Sequence, residues 1–307
     1  MTISEKLKII QKMSGLTQEK LAKELGVSFV TLNRWINKRS APRKKTVERI
    51  DVLYRKNTGE ETIPKDILEA KKKILAKKSR KYKNILKKIM SQPDIRDQFV
   101  LSLTYNSNVI EGSTLTEPET AAILFQDIAL PNKTLVEQLE AKNHQTALKY
   151  LFTQTVHSKK ISEELILKLH GILMNGIRDD AGMYRRHAVR IVGANIPTAN
   201  YLKVPRLMGD LIVEINKKKE DTLLHTTIAH SHFEKIHPFS DGNGRIGRLL
   251  IHAMLLRKNL PPAVIKQEKK RLYYLYLNKS QREDDFSLLE DFIGDAIFEG
   301  FSILERK

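Results

Sequence analysis

The sequence predicts a mostly α-helical chain in two domains, and three observations carry that prediction. Apolar residues recur at the spacing of a helix face along almost the whole length. Alternation at period two is confined to one stretch, around Val189-Arg190-Ile191-Val192. Glycines and Ser/Thr caps fall at the ends of the periodic segments, where helices start and stop. With 307 residues, and roughly 100–200 residues per domain, one small and one large domain are expected.

The first helix is expected from Ser4 to Met13, with Leu7, Ile10 and Met13 inward, before a turn at Gly15 and Leu16. Thr17 is an N-cap for a helix from Gln18 to Leu25, though Lys20 stands where a capping box has an acid. That helix buries Leu21, Ala22 and Leu25, and Gly26 supplies the tight turn after it. Ser28 caps a third helix running to about Asn37, with Leu32 and Trp35 inward. Two short helices joined at a glycine turn make a helix-turn-helix. The stretch LTQEKLAKELGVSFVTLNRWINKRSAP resembles the DNA-binding domain of phage Cro/C1-type repressors, over about residues 4–55. That resemblance implies a phosphate contact at Gln18, base reading by Phe29, Val30 and Arg34 from the helix that Ser28 opens, and phosphate neutralisation by Lys38, Arg39, Arg43, Lys44 and Lys45. Double-stranded DNA is thus an expected partner. One copy binds weakly, so specific binding calls for a homodimer on two half-sites.

Charge supports a polyanion partner for this end of the chain alone. The net charge is +18, yet residues 1–90 hold 25 Lys and Arg against 9 Asp and Glu, and the remainder is nearly balanced. The polar segment Asn57-Thr58-Gly59-Glu60-Glu61-Thr62-Ile63-Pro64 marks a boundary. It places a first domain at 1–57, a linker at 58–64 and a second domain at 65–307. A connector helix over 65–90 follows, with eleven basic residues between Lys65 and Lys88. Its apolar face is read as Ile67, Leu68, Ile74 and Leu75, then Ile85, Leu86, Ile89 and Met90. It is either a solvated connector or a phosphate-tracking extension of the first domain.

Composition removes several classes of function. The chain has no cysteine, hence no disulfide, thiolate zinc site or cysteine nucleophile. It shows no signal-peptide core and no run of about 18 apolar residues, so no membrane partner is expected and a cytoplasmic location fits.

The densest chemistry lies at 224–254. Leu224, Ile228, Ala229, Phe233 and Ile236 form an apolar helix face, and Pro238 disfavours helical geometry at His237. Ser240-Asp241-Gly242-Asn243-Gly244 is a glycine loop, and a second helix is expected near Arg245 with Leu249, Leu250, Ala253 and Met254 inward. A glycine loop feeding a helix N-terminus gathers free amides and the positive end of the macrodipole. Arg245 and Arg248 are three apart, share a face of the first turn and suit phosphates. Asp241 is a hard oxygen ligand for Mg²⁺, and His237 is a base that works near neutral pH. Together they describe transfer from a nucleotide. The GxxxxGK[ST] pattern of a Walker loop is absent. His230 and His232 sit two apart on a helix and cannot face one zinc ion.

The stretch IHPFSDGNGRIGRLL fits the Fic-domain signature HPFx(D/E)GNGRxxR at every specified position. The resemblance implies an all-helical Fic domain with a small β-hairpin flap, and transfer of AMP from ATP to a Ser, Thr or Tyr hydroxyl of a target protein, with Mg²⁺ as cofactor. By position, His237 would deprotonate the hydroxyl and Asp241 would ligate Mg²⁺. Gly242, Asn243 and Gly244 would bind the α/β-phosphate region, Arg245 the β- and γ-phosphates, and Arg248 the γ-phosphate, with Phe239 as an anchor. The phosphorylating Doc branch has Lys for the second glycine and lacks the last arginine. Gly244 and Arg248 therefore favour adenylylation.

Three further segments resemble family elements. Gly182-Met183-Tyr184-Arg185 leads into a flap expected at 187–203, with Pro197 and Pro205 limiting edge pairing. Tyr273 and Tyr274 are similar to positions that line an adenine pocket. Ser107-Asn108-Val109-Ile110-Glu111-Gly112 fits (S/T)xxxE(G/N), the mark of an inhibitory helix, here near 102–112. Its Glu111 would pair with Arg248 and compete with the γ-phosphate, and Ser107 would hold that geometry or cap the helix. Two alternatives stand beside AMP transfer. One is a transcription regulator whose Fic domain senses nucleotide or its own modification. The other is an enzyme that removes AMP with the help of Glu111.

Overall fold

The computed structural model describes residues 1–59, 63–158, 160–190 and 196–306. Contacts divide the chain into two compact units, Met1–Ile67 with Glu268–Leu289, and Leu68–Gln267 with Glu290–Lys307. The segment read as a linker thus lies inside the first unit, which also takes in a helix from late in the chain.

The first unit opens with α1 (Ile3–Ser14), α2 (Gln18–Leu25), α3 (Phe29–Ile36) and α4 (Lys44–Thr58). The first three starts have a local cause. Thr2 and Glu5 form a full capping box on α1, Thr17 accepts the Lys20 amide at α2, and Ser28 accepts the Thr31 amide at α3. Gly15 and Gly26 end α1 and α2 in the left-handed region. Leu7, Ile10, Leu21, Leu25, Leu32, Trp35 and Ile50 close one core. Met13, expected inward, is only half-buried, and Ser14 takes the buried position after it. α14 (Lys270–Glu283) belongs to this unit, where the Tyr276 hydroxyl donates to the Lys56 carbonyl.

The second unit is built on α5 (Lys65–Ser79, from Leu68), α6 (Ile85–Ser91), α7 (Pro93–Glu111), α8 (Glu117–Phe125) and α9 (Leu135–His157). It continues with α10 (Glu163–Leu173), α11 (Val204–Ile215), α12 (Thr222–Ile236), α13 (Asn243–Arg257) and most of α15 (Ser287–Leu304). Thirteen of the 15 residues of α13 are buried, which makes it the central helix, with α7, α9, α10 and α12 packed around it. No helix among the described residues is long and apolar enough to cross a membrane.

The connector departs from its expected form. The chain breaks after Ser79, and Asn84 caps a separate α6. Leu68 and Leu75 are buried while Ile67 and Ile74 are half exposed, because adjacent positions point about 100° apart around a helix. Three of its lysines, Lys71, Lys72 and Lys78, are engaged with acids. Lys71 pairs with Asp291 and Asp295, and Lys72 with Glu69, Asp221 and Glu290. Burial works against the charge on Lys72, but the three carboxylates outweigh it and raise its pKa above the ordinary lysine range. Lys71 and Lys72 thus hold α5 to other parts of the second unit.

The expected flap at 187–203 falls partly on residues 191–195, outside the described residues. Its described part forms no strand. Tyr201–Lys203 is a 3₁₀ turn, and Pro205 opens α11 instead of guarding an edge. The reason is a buried side chain. Arg185 donates to the carbonyls of His187 and Ala199, so one guanidinium holds the two arms in place of a hydrogen-bonded ladder.

Candidate active site

The loop between α12 and α13 is shaped by a few local constraints. His237 ends α12 with φ 52°, an uncommon conformation for a residue with a side chain. Its amide still donates to the Phe233 carbonyl. Asn243 then closes the loop on itself. Its Oδ1 accepts the Phe239 amide at 2.8 Å and its Nδ2 donates to the Phe239 carbonyl at 2.8 Å. This clasp, together with Gly242 at φ 77°, starts α13 at Asn243, two residues earlier than the sequence led us to expect. It also uses up the Asn243 side chain, so only the backbone of that residue is available to a ligand. No side chain caps α13.

The two loop arginines are both buried and both held by carboxylates. Arg248 donates from Nε to Ser107 Oγ at 2.9 Å and from Nη2 to the Ser107 carbonyl at 3.1 Å. Its Nη2 also donates to Glu111 Oε1 at 2.7 Å. Ser107 and Glu111 sit one turn apart at the end of α7, so one helix face delivers both groups. Gly244 makes room for this. A Cβ there would collide with Glu111 Oε1 and lie 3.1 Å from Arg248 Nη1. Arg245 donates to Glu140 Oε1 on α9 at 2.6 Å, and its Nη2 lies 3.9 Å from Asp241 Oδ1.

His237 Nδ1 lies 3.3 Å from the Glu234 carbonyl. A carbonyl can only accept, so the proton sits on Nδ1 and the Nε2 lone pair remains. Burial pushes the pKa of His237 below the ordinary histidine value, which keeps the ring neutral near pH 7. Asp241 is exposed at its side chain, and its Oδ1 accepts the Gly242 amide at 2.6 Å. The site therefore offers a neutral base, an open carboxylate and two guanidinium groups around one helix start.

Three residues here were not singled out from the sequence. Arg185 is buried and donates from Nε to the His237 carbonyl at 2.7 Å, tying the base to the segment before α11. His170 on α10 stacks on Phe239 at 3.8 Å with the rings 6° apart. The Gly182 amide donates to its Nδ1 at 2.8 Å, so Nε2 carries the proton and donates to the Asp241 carbonyl at 3.1 Å. Burial lowers the pKa of His170 to about 4, consistent with that neutral form. Glu140 is the third. Arg185 stood inside a noted segment. His170 looked like one more core position among leucines, and Glu140 has no local signal at all.

The other expected residues differ in burial. Phe239 is fully buried, His230 is buried and His232 is exposed. Tyr273 and Tyr274 lie on α14 in the first unit, with ring centroids 5.2 Å apart. On α3, Phe29, Val30 and Arg34 are exposed, as are Lys38 and Arg39 beyond it. Ser28 is spent as a cap, and Gln18 accepts from Asn33 at 3.1 Å.

Comparison with known proteins agrees with both parts. Residues 160–255 match the model of the Fic/DOC family, and residues 7–60 match a helix-turn-helix model. A protein adenylyltransferase Fic from Nematostella vectensis is 33% identical over 188 residues, covering 59% of this chain and 43% of that protein. Its Drosophila melanogaster counterpart is 32% identical over 196 residues, covering 62% and 39%. The chain thus spans about two fifths of the length of these curated relatives. Among solved structures, a Fic-domain-containing signaling protein from Bacteroides thetaiotaomicron superposes with TM-score 0.67 at 24% identity, covering 75% of this chain and 94% of the other. Fic-1 from C. elegans superposes with TM-score 0.68 at 21% identity, covering 93% and 84%. The chain therefore carries a Fic domain around the α12–α13 loop, preceded by a helix-turn-helix region.

Proposed function

We propose that the second unit transfers AMP from ATP to a Ser, Thr or Tyr hydroxyl of a target protein, and that Glu111 holds this activity back. The observation that carries the reading is that one loop and the helix start after it hold His237, whose Nε2 keeps its lone pair, together with Asp241, Arg245 and Arg248. The names of the relatives support the same reaction.

In the proposed step the target oxygen forms a bond to the α-phosphorus and the bond from that phosphorus to the bridging oxygen breaks. The hydroxyl proton passes to His237 Nε2, and pyrophosphate leaves with the bond electrons. Arg185 and the left-handed backbone hold the base where it stands. The amides at the start of α13 and the two arginines offset phosphate charge, so catalysis is mainly positioning and charge stabilisation. Asp241 fits Mg²⁺ as one exposed carboxylate. The described residues contain no group of three protein ligands, so phosphate and water would complete the shell. When bound, the ion offsets charge on the phosphates.

The Glu111 carboxylate sits on the guanidinium that the γ-phosphate would use, which supports the inhibitory reading. The exposed Phe29, Val30, Arg34, Lys38 and Arg39 support binding of double-stranded DNA by the first unit, as a homodimer on two half-sites. The exposed basic end of α3 also favours a second reading, a transcription regulator whose Fic domain senses nucleotide. Both are tested with α-labelled ATP and Mg²⁺ on the parent, Glu111→Gly and Glu111→Gly/His237→Ala. Label on protein in Glu111→Gly that disappears with His237→Ala supports transfer. Label absent from every lane, cell lysate included, removes it. Label lost again when nucleotide is withdrawn indicates removal of AMP. A His237→Ala variant that keeps its DNA affinity and its effect on transcription shows that the two units act separately.

A further inference from the structure

A second cavity lies at the other end of α13 from the motif loop, about 20 Å away at 1.5 Å rise per residue. Its volume is about 1070 Å³, and α6, α9, α12 and α13 all contribute to its wall. Its apolar lining comes from Met90, Val156, Met254 and Leu256, the first two of them exposed, and its cationic lining from Lys87, Lys160, Lys217, Lys218, Lys258 and Arg257. No carboxylate is among the described residues that line it. Glu214 pairs with Lys217 of the cavity wall and with Lys219, and Asp221 pairs with Lys72. Lys87, Lys160, Lys218 and Lys258 make no ion pair among the described residues, in contrast to the paired lysines of α5.

Two buried donors here lack partners among the described residues. Arg257 is half-buried. Its Nη1 and Nη2 reach only the carbonyls of Ala253 and Lys160, and its Nε has no acceptor. Burial without a counter-charge pulls its pKa down to about 10. Thr226 on α12 is fully buried on the cavity wall, and its hydroxyl makes no hydrogen bond. Buried polar groups are nearly always satisfied, so the Arg257 Nε and the Thr226 hydroxyl, without acceptors among the described residues and beside four lysines that make no ion pair there, point to an absent acceptor. Ordinary ligand cavities run to roughly 300–1,000 Å³, which admits a nucleotide and not a folded protein.

We infer that this cavity is a second anion site, distinct from the loop that carries His237, and that it takes a nucleoside diphosphate. The phosphates would lie against Arg257, Lys218 and Lys258, and the base would lie on the floor formed by Met90 and Met254. The inference does not rest on the AMP-transfer reading, since its readout is binding alone. Because α12 and α13 both run from this cavity to the motif loop, an occupant would be in contact with the two helices that carry His237 and Arg248.

The test is isothermal titration of the full chain at 0.15 M salt with GDP and with inorganic pyrophosphate. The parent is compared with a Lys218→Glu/Lys258→Glu variant and with Arg257→Gln. Saturable GDP binding is expected, weakened on the order of tenfold or more by the lysine reversal and by Arg257→Gln. Pyrophosphate is expected to bind at least about tenfold more weakly than GDP, because it cannot use the floor. The motif loop lies beyond the Debye length of about 8 Å at that salt, so GDP held there would not respond to the lysine reversal. No GDP binding by the parent, or binding unchanged in Lys218→Glu/Lys258→Glu, overturns the site. Pyrophosphate binding as tight as GDP overturns the nucleotide assignment. So does a poly-glutamate peptide that binds and responds to the lysine reversal when GDP does not, which would assign the face to an acidic peptide. Lys218 and Lys258 carry no packing role, so the lysine arm decides the matter even if Arg257→Gln fails to fold.

Discussion

Replacing Glu111 tests how much the Arg248 contact restrains the site. Arg248 is 3% exposed at its side chain and Glu111 29%, so the pair is mostly shielded from water. The contact is one charge-assisted bond of 2.7 Å, worth about 1.5–3 kcal/mol in general. A γ-phosphate that takes Arg248 must first displace it. At about 1.4 kcal/mol per decade, removing the carboxylate should raise the rate of productive ATP use about 10- to 100-fold. The fold should survive, because Ser107 still gives Arg248 two acceptors and Glu111 is the last residue of its helix. The assay is initial-rate transfer of labelled AMP at sub-saturating ATP for the parent, Glu111→Gln and Glu111→Gly, with a far-UV circular dichroism melt of each. Glu111→Gln keeps the shape and loses the charge, so its rate should fall between the other two. Rates within twofold of the parent for both variants, with both still folded, would refute the competition argument.

Four further outcomes follow from the same geometry. His170→Phe keeps the stack on Phe239 but loses both backbone contacts, so the Mg²⁺ needed for half-maximal transfer should rise severalfold with little change in ATP affinity, measured by metal titration. Arg185→Ala frees the carbonyls of His187, Ala199 and His237, which should cost about 3 kcal/mol of stability in a denaturant melt and more than tenfold in transfer rate. Glu234 is fully buried, and burial raises its pKa to about 8. The folded protein keeps that proton from pH 4.5 to about 8 while the unfolded chain releases it, so this group's contribution to stability is complete below pH 4.5 and is lost as pH rises through 8. Glu234→Gln should therefore remove a falling slope of about 1.4 kcal/mol per pH unit in that window, read from melts at several pH values. For the first unit, Arg34→Ala should cost about 1–3 kcal/mol at the preferred operator and relax its sequence preference, whereas Lys38→Ala should weaken binding to all sequences and flatten the salt dependence, as seen in gel-shift titrations.

Much of this was legible in the sequence because it is local. Caps, glycine turns and apolar spacing placed α2 to the residue, and Gln18–Leu25 is where Thr17 and Gly26 said it would be. The twelve residues from His237 to Arg248 carry their own backbone geometry, since Pro238, Gly242 and the Asn243 clasp act within the segment. Ser107 and Glu111 were found because they fit a short pattern of the family they resemble, and one turn of helix puts them on one face. Where local logic was extended too far, it failed. The connector looked like one solvated helix, yet it breaks after Ser79 and pairs Lys71 with acids more than two hundred positions away. The flap looked like a hairpin from its alternation, yet a buried arginine holds its described arms.

The sequence by itself therefore determined the capped starts of α2 and α3, the motif loop and the chemistry its residues can perform, because each depends on neighbours within a turn or two. Only the tertiary structure decided which partner each charged group has. Glu140 meets Arg245 across 105 positions, whereas the Glu111–Arg248 pair across 137 was expected, though only from the family resemblance. It also decided that His170 supports the loop and that Arg257 faces a basic cavity with no acid beside it. The physical reason is that electrostatic pairing and burial depend on distance in space. Spacing along the chain predicts that distance only within a single helix.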